Sequence, residues 1–275
     1  PFLRLLNKKD LADKDRVQAW LSHWQEQESI TAKPFSTLDK QDLASVKHWV
    51  AKLVPHRGTA EKPIRAMIAG IPNVGKSSLM NALLGRRVAK VGDEPAVTKS
   101  QQKLKVSPGF VLLDTPGILW PKIENPKASY RLAVTGAVRD TAIDYQDVAL
   151  VGLEFFIAHY PSYITSRYKF KQALGTADQV LSTIGEKRGA LRAGGVIDMH
   201  KAAEVFMHDV RSGAIGDYVM ETPEMILEEE RQVEIVKAEK EAKRQARLAA
   251  AVPQRQQSQN RTERTQDIPE DSQKK

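Results

Sequence analysis

The run Gly70-Ile71-Pro72-Asn73-Val74-Gly75-Lys76-Ser77 matches G-x-x-x-x-G-K-S and constrains this chain more than any other feature. The apolar stretch Ile64–Ala69 precedes it and the helix-prone Ser78–Leu84 follows, so strand, glycine loop and helix stand in the order of a phosphate-binding loop. A triphosphate crowds the backbone. Glycines allow that close approach, and successive N–H groups then point at phosphate oxygens, helped by the positive end of the helix dipole. Lys76 is expected to reach the β- and γ-phosphates, and the Ser77 hydroxyl to take one coordination site on Mg²⁺.

The rest of the composition narrows the partners. A net charge of +8 and a pI near 9.5 exceed what one nucleotide calls for and point to a larger anionic partner. RNA is the expected partner, ahead of a membrane surface, and DNA is not expected. The absence of cysteine excludes disulfides, thiol catalysis and cysteine-ligated zinc. No apolar run is long enough to span a bilayer, so a soluble, cytoplasmic protein is expected. The chain opens on Pro1 rather than methionine, and it is expected to begin inside a longer protein.

Phe2–Leu6 reads as a buried parallel strand delivering Asn7-Lys8-Lys9-Asp10 at its C-terminal end, where ligands of open α/β sheets bind. Val17, Trp20, Leu21 and Trp24 give residues 13–27 one apolar helical face, with both tryptophans read as core. Ser29–Lys33 is extended, and Ser36-x-x-Asp39 reads as a capping box opening the next helix. Leu104–Val106 and Phe110–Leu113 bracket Ser107-Pro108-Gly109 as a hairpin. The second strand ends on Asp114-Thr115-Pro116-Gly117, which puts a carboxylate where it can hold Mg²⁺ through water.

Beyond residue 126 the pattern is helical, over about 127–139, 146–159, 174–186 and 200–212, with turns at Pro161, Gly175, Gly189 and Gly194-Gly195. From Pro223 a charged helix leads into a Gln/Arg/Ser-rich tail read as disordered, and residues 237–264 hold eight Lys or Arg against three acids. The expected domains are 1–125, a nucleotide-binding α/β domain; 126–222, a helical RNA-binding domain; and 223–275, charged helix and tail.

Asn7-Lys8-x-Asp10 is common in loops, but beside the phosphate loop it gains a specific meaning. The Asp10 carboxylate can accept from both the N1–H and the exocyclic amine of guanine, groups adenine does not present there. GTP is therefore favoured over ATP. The guanine motif precedes the other two, the reverse of the usual order in small GTPase domains.

Asn7–Asp10, Thr31-Ala32-Lys33, the phosphate loop, Thr98 and Asp114–Gly117, in this order, resemble the circularly permuted GTPases, and among them the ribosome biogenesis GTPase A family of large-subunit assembly. Lys187–Gly195 and Ala202-Ala203 are similar to that family's helical region, so the resemblance covers about residues 1–215. It implies that Asn7, Lys8 and Asp10 bind guanine and that Ala32 and Lys33 flank the base. It further implies that Gly70 to Ser78, including Asn73, Val74, Gly75, Lys76, Ser77 and Ser78, hold the phosphates of GTP or GDP. Thr98 would cover Mg²⁺ and the γ-phosphate, Asp114 and Gly117 would complete the switch, and Lys76, Thr98 and Gly117 would carry catalysis. Asn73 matches a position that in related GTPases helps hold a potassium ion. The implied partners are a large (50S) subunit precursor and its rRNA.

Two residues and one segment depart from the pattern common among GTPases or from that of the family. Ile118 stands where many GTPases have a water-orienting glutamine, a replacement shared by the family, so unaided turnover is expected to be slow. Ala96 replaces a glycine two residues before Thr98. A family segment with a hydrolytic histidine, a helix and a mid-sheet strand would precede Pro1. The expected fold is thus an N-terminally incomplete, permuted P-loop GTPase domain with an all-α domain and charged tail. An alternative reading is an RNA-binding assembly factor whose incomplete G domain hydrolyses nothing.

Overall fold

In the computed structural model, Leu3–Leu6 (β1) and Thr31–Pro34 (β2) pair in parallel, with Leu3 opposite Thr31 and Leu6 opposite Pro34. The residues described are 1–26, 31–86, 103–114, 123, 125–138 and 144–266. Between the strands runs α1 (Lys14–Gln25), whose N-cap Asp13 accepts from the N–H groups of Asp15 and Arg16. A second helix, α2 (Lys40–Leu53), is capped by Asp39. The expected Ser36 cap is displaced by three residues: Asp39 accepts from Gln41 and Asp42, while Ser36 donates its N–H to the Asp42 carboxylate.

Ile64–Ile68 (β3) pairs in parallel with Phe110–Asp114 (β5), which pairs antiparallel with Lys103–Ser107 (β4) across the expected hairpin. The phosphate loop leads from β3 into α3 (Lys76–Leu84), ended by Gly85 in left-handed conformation. The strands therefore form two sheets, β1-β2 and β3-β5-β4. A cleft of about 1110 Å³ separates β1 from β3. This corrects the expected burial of β1: all four of its residues are half-buried, because only β2 pairs with it among the described residues. Met67 on β3 is 61% exposed for the same reason.

The helical region comprises α4 (Pro126–Val134), α5 (Tyr145–His159), α6 (Pro161–Tyr168), α7 (Ala177–Arg188) and α8 (Met199–Arg211). Asn125, Asp144, Thr176 and Asp198 cap four of them through side-chain oxygens. The fifth, α6, stands where a turn was expected: Pro161 occupies its first helical turn, where a missing N–H costs nothing. Leu153, Phe156, Ile164, Leu181, Ile184 and Phe206 are fully buried in one apolar core. Phe156 meets Phe206 edge-on at 6.0 Å, and Gly152 lets α8 come close, since a Cβ there would sit 3.1 Å from Phe206.

Pro1–Pro223 form one compact unit and Glu224–Lys275 a second. The second is occupied by α9, which runs from Pro223 to Gln266 through the glutamine- and arginine-rich stretch. Pairs three residues apart, Glu228–Arg231, Glu234–Lys237 and Glu241–Arg244, line its exposed surface. No described helix is long and apolar enough to cross a membrane.

Asp209 is the buried acid of the bundle, 4% exposed. Arg167 grips it with two hydrogen bonds of 2.8 and 2.6 Å, Arg188 lies 3.5 Å away, His208 4.0 Å away, and the Tyr168 ring adjoins it. Burial alone would raise this carboxyl, but the bonds from Arg167 and the charges of Arg167 and Arg188 hold it below its ordinary value of 3.8. Its stabilisation is full above the unfolded-chain value of about 3.9 and is lost as pH falls through the lower folded value. Asp209→Asn is expected to lower stability at neutral pH by about 1.5–3 kcal/mol and to flatten the acid limb. Urea unfolding followed by circular dichroism against pH reads both, and a wild-type acid limb in the variant would show that the pair contributes nothing.

Candidate functional site

Two loops at the C-terminal ends of β1 and β3 make the site. Asn7 directly follows β1, and its Nδ2 donates to the Val74 carbonyl of the phosphate loop at 2.7 Å. That bond spans 67 residues and joins the two motifs. Gly75 must be glycine here: its φ is 96°, and a Cβ would collide with the Asn7 carboxamide. The carboxamide oxygen of Asn7, Oδ1, is buried with no hydrogen-bond partner among the described residues, a polar acceptor left over beside the phosphate loop.

Lys8 follows in left-handed backbone, φ 62° and ψ 38°, and turns the chain into a 3-10 turn, Lys9–Leu11. Asp10 thereby lies on an exposed turn at the sheet edge. Lys9 fixes that turn: its Nζ is 3.0 Å from Asp39 and 2.7 Å from Asp42, and those carboxylates raise its pKa. The Lys9 N–H also donates to Phe35 and the Phe35 N–H to Leu6, so the end of β2 buttresses the guanine-type loop. Ala32 and Lys33 lie further back, opposite Arg4 and Leu5 within the strands. The residues the structure brings to the edge are Phe35, which the sequence reading gave no role, and Ser36, which it assigned only to a cap.

In the phosphate loop, Asn73 is also left-handed, φ 57°, and Lys76 Nζ donates to the Ile71 carbonyl at 2.8 Å. Lys76, Ser77 and Ser78 form the first turn of α3, so their N–H groups and the helix dipole face the same loop. Asp114 ends β5 directly opposite Ile68, two residues before Gly70. Thr98, Gly117, Ala96 and Ile118 lie outside the described residues.

The helical region touches both loops. Asn73 Nδ2 donates to the Gly136 carbonyl just beyond α4 at 2.7 Å. Tyr218 N–H donates to the Leu11 carbonyl at 3.1 Å, and the Tyr160 hydroxyl to Asp13 at 3.0 Å. Burial pushes the Tyr160 hydroxyl up to about 12, which keeps it a donor. Arg16 reaches the Val219 carbonyl at 2.7 Å, and Trp20 the Glu221 carbonyl at 3.0 Å. Both tryptophans of α1 are half-buried, and Trp24 carries the Arg4 guanidinium 4.3 Å above its ring.

Known proteins are similar to this chain in sequence and fold. The family of 50S ribosome-binding GTPases matches residues 65–184. The chain is 40% identical over 231 residues to ribosome biogenesis GTPase A of Bacillus pumilus, covering 82% of each chain. It is 41% identical over 231 residues to that of Priestia megaterium, covering 81% of this chain and 80% of the relative. Among solved structures, GDP-bound YlqF of T. maritima superposes with a TM-score of 0.60 at 24% identity over 81% of this chain and 83% of that one. GNP-bound YlqF from T. maritima gives 0.59 at 25% identity over 81% and 82%. Forty per cent identity sustained over four-fifths of both chains reaches far beyond a shared phosphate loop: the chain belongs to the ribosome biogenesis GTPase A family.

Proposed function

We propose that this chain, a guanine-nucleotide-binding GTPase of ribosome assembly by its family, acts on the precursor of the large (50S) subunit and contacts its rRNA through the helical region. The observation that carries the reading is the Asn7–Val74 bond, which locks a guanine-type loop onto a phosphate loop. Asn7, Lys8 and Asp10 take the base, and Asn73 to Ser78 take the phosphates. Lys76 neutralises charge developing on the transferred phosphoryl group, with backbone N–H groups of the loop fixed in advance around it. Thr98 and Gly117 complete the switch.

The donor set suits a hard divalent cation. Ser77 offers a hydroxyl at the helix start and Asp114 a carboxylate at the neighbouring strand end, both oxygen ligands of the kind Mg²⁺ takes. Ser77, Thr98 and Asp114 would hold it, and when bound it supplies charge neutralisation between the β- and γ-phosphates. Asn73, whose Nδ2 donates to Gly136, carries a carboxamide oxygen, the ligand type that potassium takes.

Single-turnover GTP hydrolysis tests the reading. With Ile118 in place of a water-orienting amide, the chain alone is expected to be slow, and large-subunit precursor particles to accelerate it at least about tenfold, the scale of one added transition-state contact. Equal rates with and without particles would overturn the large-subunit assignment. RNA binding with no turnover under either condition would favour an assembly factor with an inactive G domain.

A further inference from the structure

Among the described residues, three that are not glycine hold left-handed backbone: Lys8, Asn73 and Lys169. Such backbone is costly for a side-chain-bearing residue and gathers at functional sites. Lys8 and Asn73 stand in the two nucleotide loops. Lys169 stands elsewhere, as the C-cap of α6, a position glycine would fill without strain.

Around Lys169 the ends of α6 and α7 meet. Lys187 Nζ donates to the Lys169 carbonyl at 3.1 Å and lies 5.8 Å from the Phe170 ring. Arg188 lies over the Tyr168 ring at 5.3 Å. Arg167 and Arg188 both face Asp209, yet their side chains stay 32% and 35% exposed. Two guanidiniums thus share one buried carboxylate, and two lysines stand at the same corner. Cations in a last helical turn offset the helix dipole, which accounts for Arg167, Lys187 and Arg188 in part. It does not account for a lysine beyond the last turn in strained backbone, nor for the surplus charge facing solvent.

We propose that this corner, where α6 and α7 end beside Asp209 of α8, binds the phosphate backbone of RNA. Asp209 takes Nε and one terminal nitrogen of Arg167, leaving the other terminal nitrogen to donate outward from a guanidinium that is already ordered. Lys169 and Lys187 add two point charges at the rim. The cluster offers phosphate-matching donors and, apart from the edge of Phe170, no exposed ring to stack a base, so it reads backbone rather than sequence. The inference rests on the reading of the helical region as the RNA-contacting part, and it names the surface.

Filter binding of the full chain to a protein-free transcript of large-subunit rRNA, over about 50–200 mM salt, tests it. Lys169→Gln/Lys187→Gln is expected to weaken binding about 5- to 20-fold at moderate salt and to lower the slope of log affinity against log salt by roughly 1.4–1.8, two phosphate contacts' worth. Fluorescent GDP affinity should not change. Lys169→Gly separates contact from fold: it should raise the thermal midpoint by about 1–3 °C by relieving the backbone while weakening RNA binding. If the wild type binds the transcript and the double variant matches it in affinity and slope, the corner is wrong and the RNA-contacting reading stands. If the wild type shows no affinity for the transcript, both fall. Loss of binding to precursor particles without loss on the transcript would make the corner a protein contact and overturn the proposal.

Discussion

Lys76→Ala is expected to reduce GTP turnover on the order of 10²–10³-fold, the loss that follows removal of one preorganised charge or donor from a transition state. The geometry says why this residue should matter so much. Its ammonium donates to the Ile71 carbonyl at 2.8 Å, so it lies along the loop itself rather than extended into solvent. A triphosphate seated on the N–H groups of Lys76, Ser77 and Ser78 would bring its β- and γ-oxygens to that same ammonium, which would exchange a neutral carbonyl for two anionic partners. The effect should be confined to the nucleotide site. Lys76 belongs to none of the apolar clusters, and the helical core of Phe156, Ile184 and Phe206 contains none of the loop. Thermal unfolding of the variant without nucleotide should therefore match wild type, while the stabilisation wild type gains from saturating GDP should shrink. Turnover within threefold of wild type would exclude Lys76 from the reaction.

The parts of this site that were legible in the sequence are those set by local spacing. G-x-x-x-x-G-K-S fixes a loop between a strand and a helix because glycine, the helix start and the lysine must fall at set intervals, and β3, the loop and α3 follow that order. An apolar run ending on Asn7-Lys8-Lys9-Asp10 likewise made a strand feeding a polar loop. What lay beyond reach was pairing over distance. Nothing local says that Asn7 will donate to Val74, that Asp13 will accept from Tyr160, or that Arg167 will close on Asp209. Strand ends were equally hidden. The register that sets Ala32 and Lys33 opposite Arg4 and Leu5, and leaves Phe35 beside the loop, is not written in the run Thr31-Ala32-Lys33. Pro161 illustrates a sign that reads two ways, since proline both breaks a helix and begins one, and here it begins α6. The half-burial of β1 could not be read either, because an apolar run looks the same whether one or both of its edges are paired.

Asp10→Asn should change which base the chain accepts. Asp10 sits on a turn held from three sides: by the left-handed Lys8, by Lys9 locked between Asp39 and Asp42, and by Tyr218, whose N–H donates to Leu11. None of those restraints uses the Asp10 side chain, so the exchange alters chemistry and leaves the turn intact. As a carboxylate, Asp10 would accept from the guanine N1–H and exocyclic amine, two charge-assisted bonds worth about 1.5–3 kcal/mol each. As an amide it keeps one acceptor and presents an NH₂ where the guanine amine also donates. Two donors then face each other, and GTP affinity is expected to fall by roughly 10²–10³-fold. Xanthine carries a carbonyl at that position, so the variant should bind XTP more tightly than GTP, reversing the wild-type order. Competition of each nucleotide against fluorescent GDP and XDP measures both affinities. Unchanged GTP affinity would remove Asp10 from base recognition. A general loss for every nucleotide would instead mean that the turn had moved, and the Tyr218–Leu11 bond predicts how that would show: the linker at 213–221 would lose amide-exchange protection together with the site. Reversal of base preference with that protection retained is the result that assigns guanine recognition to Asp10 itself.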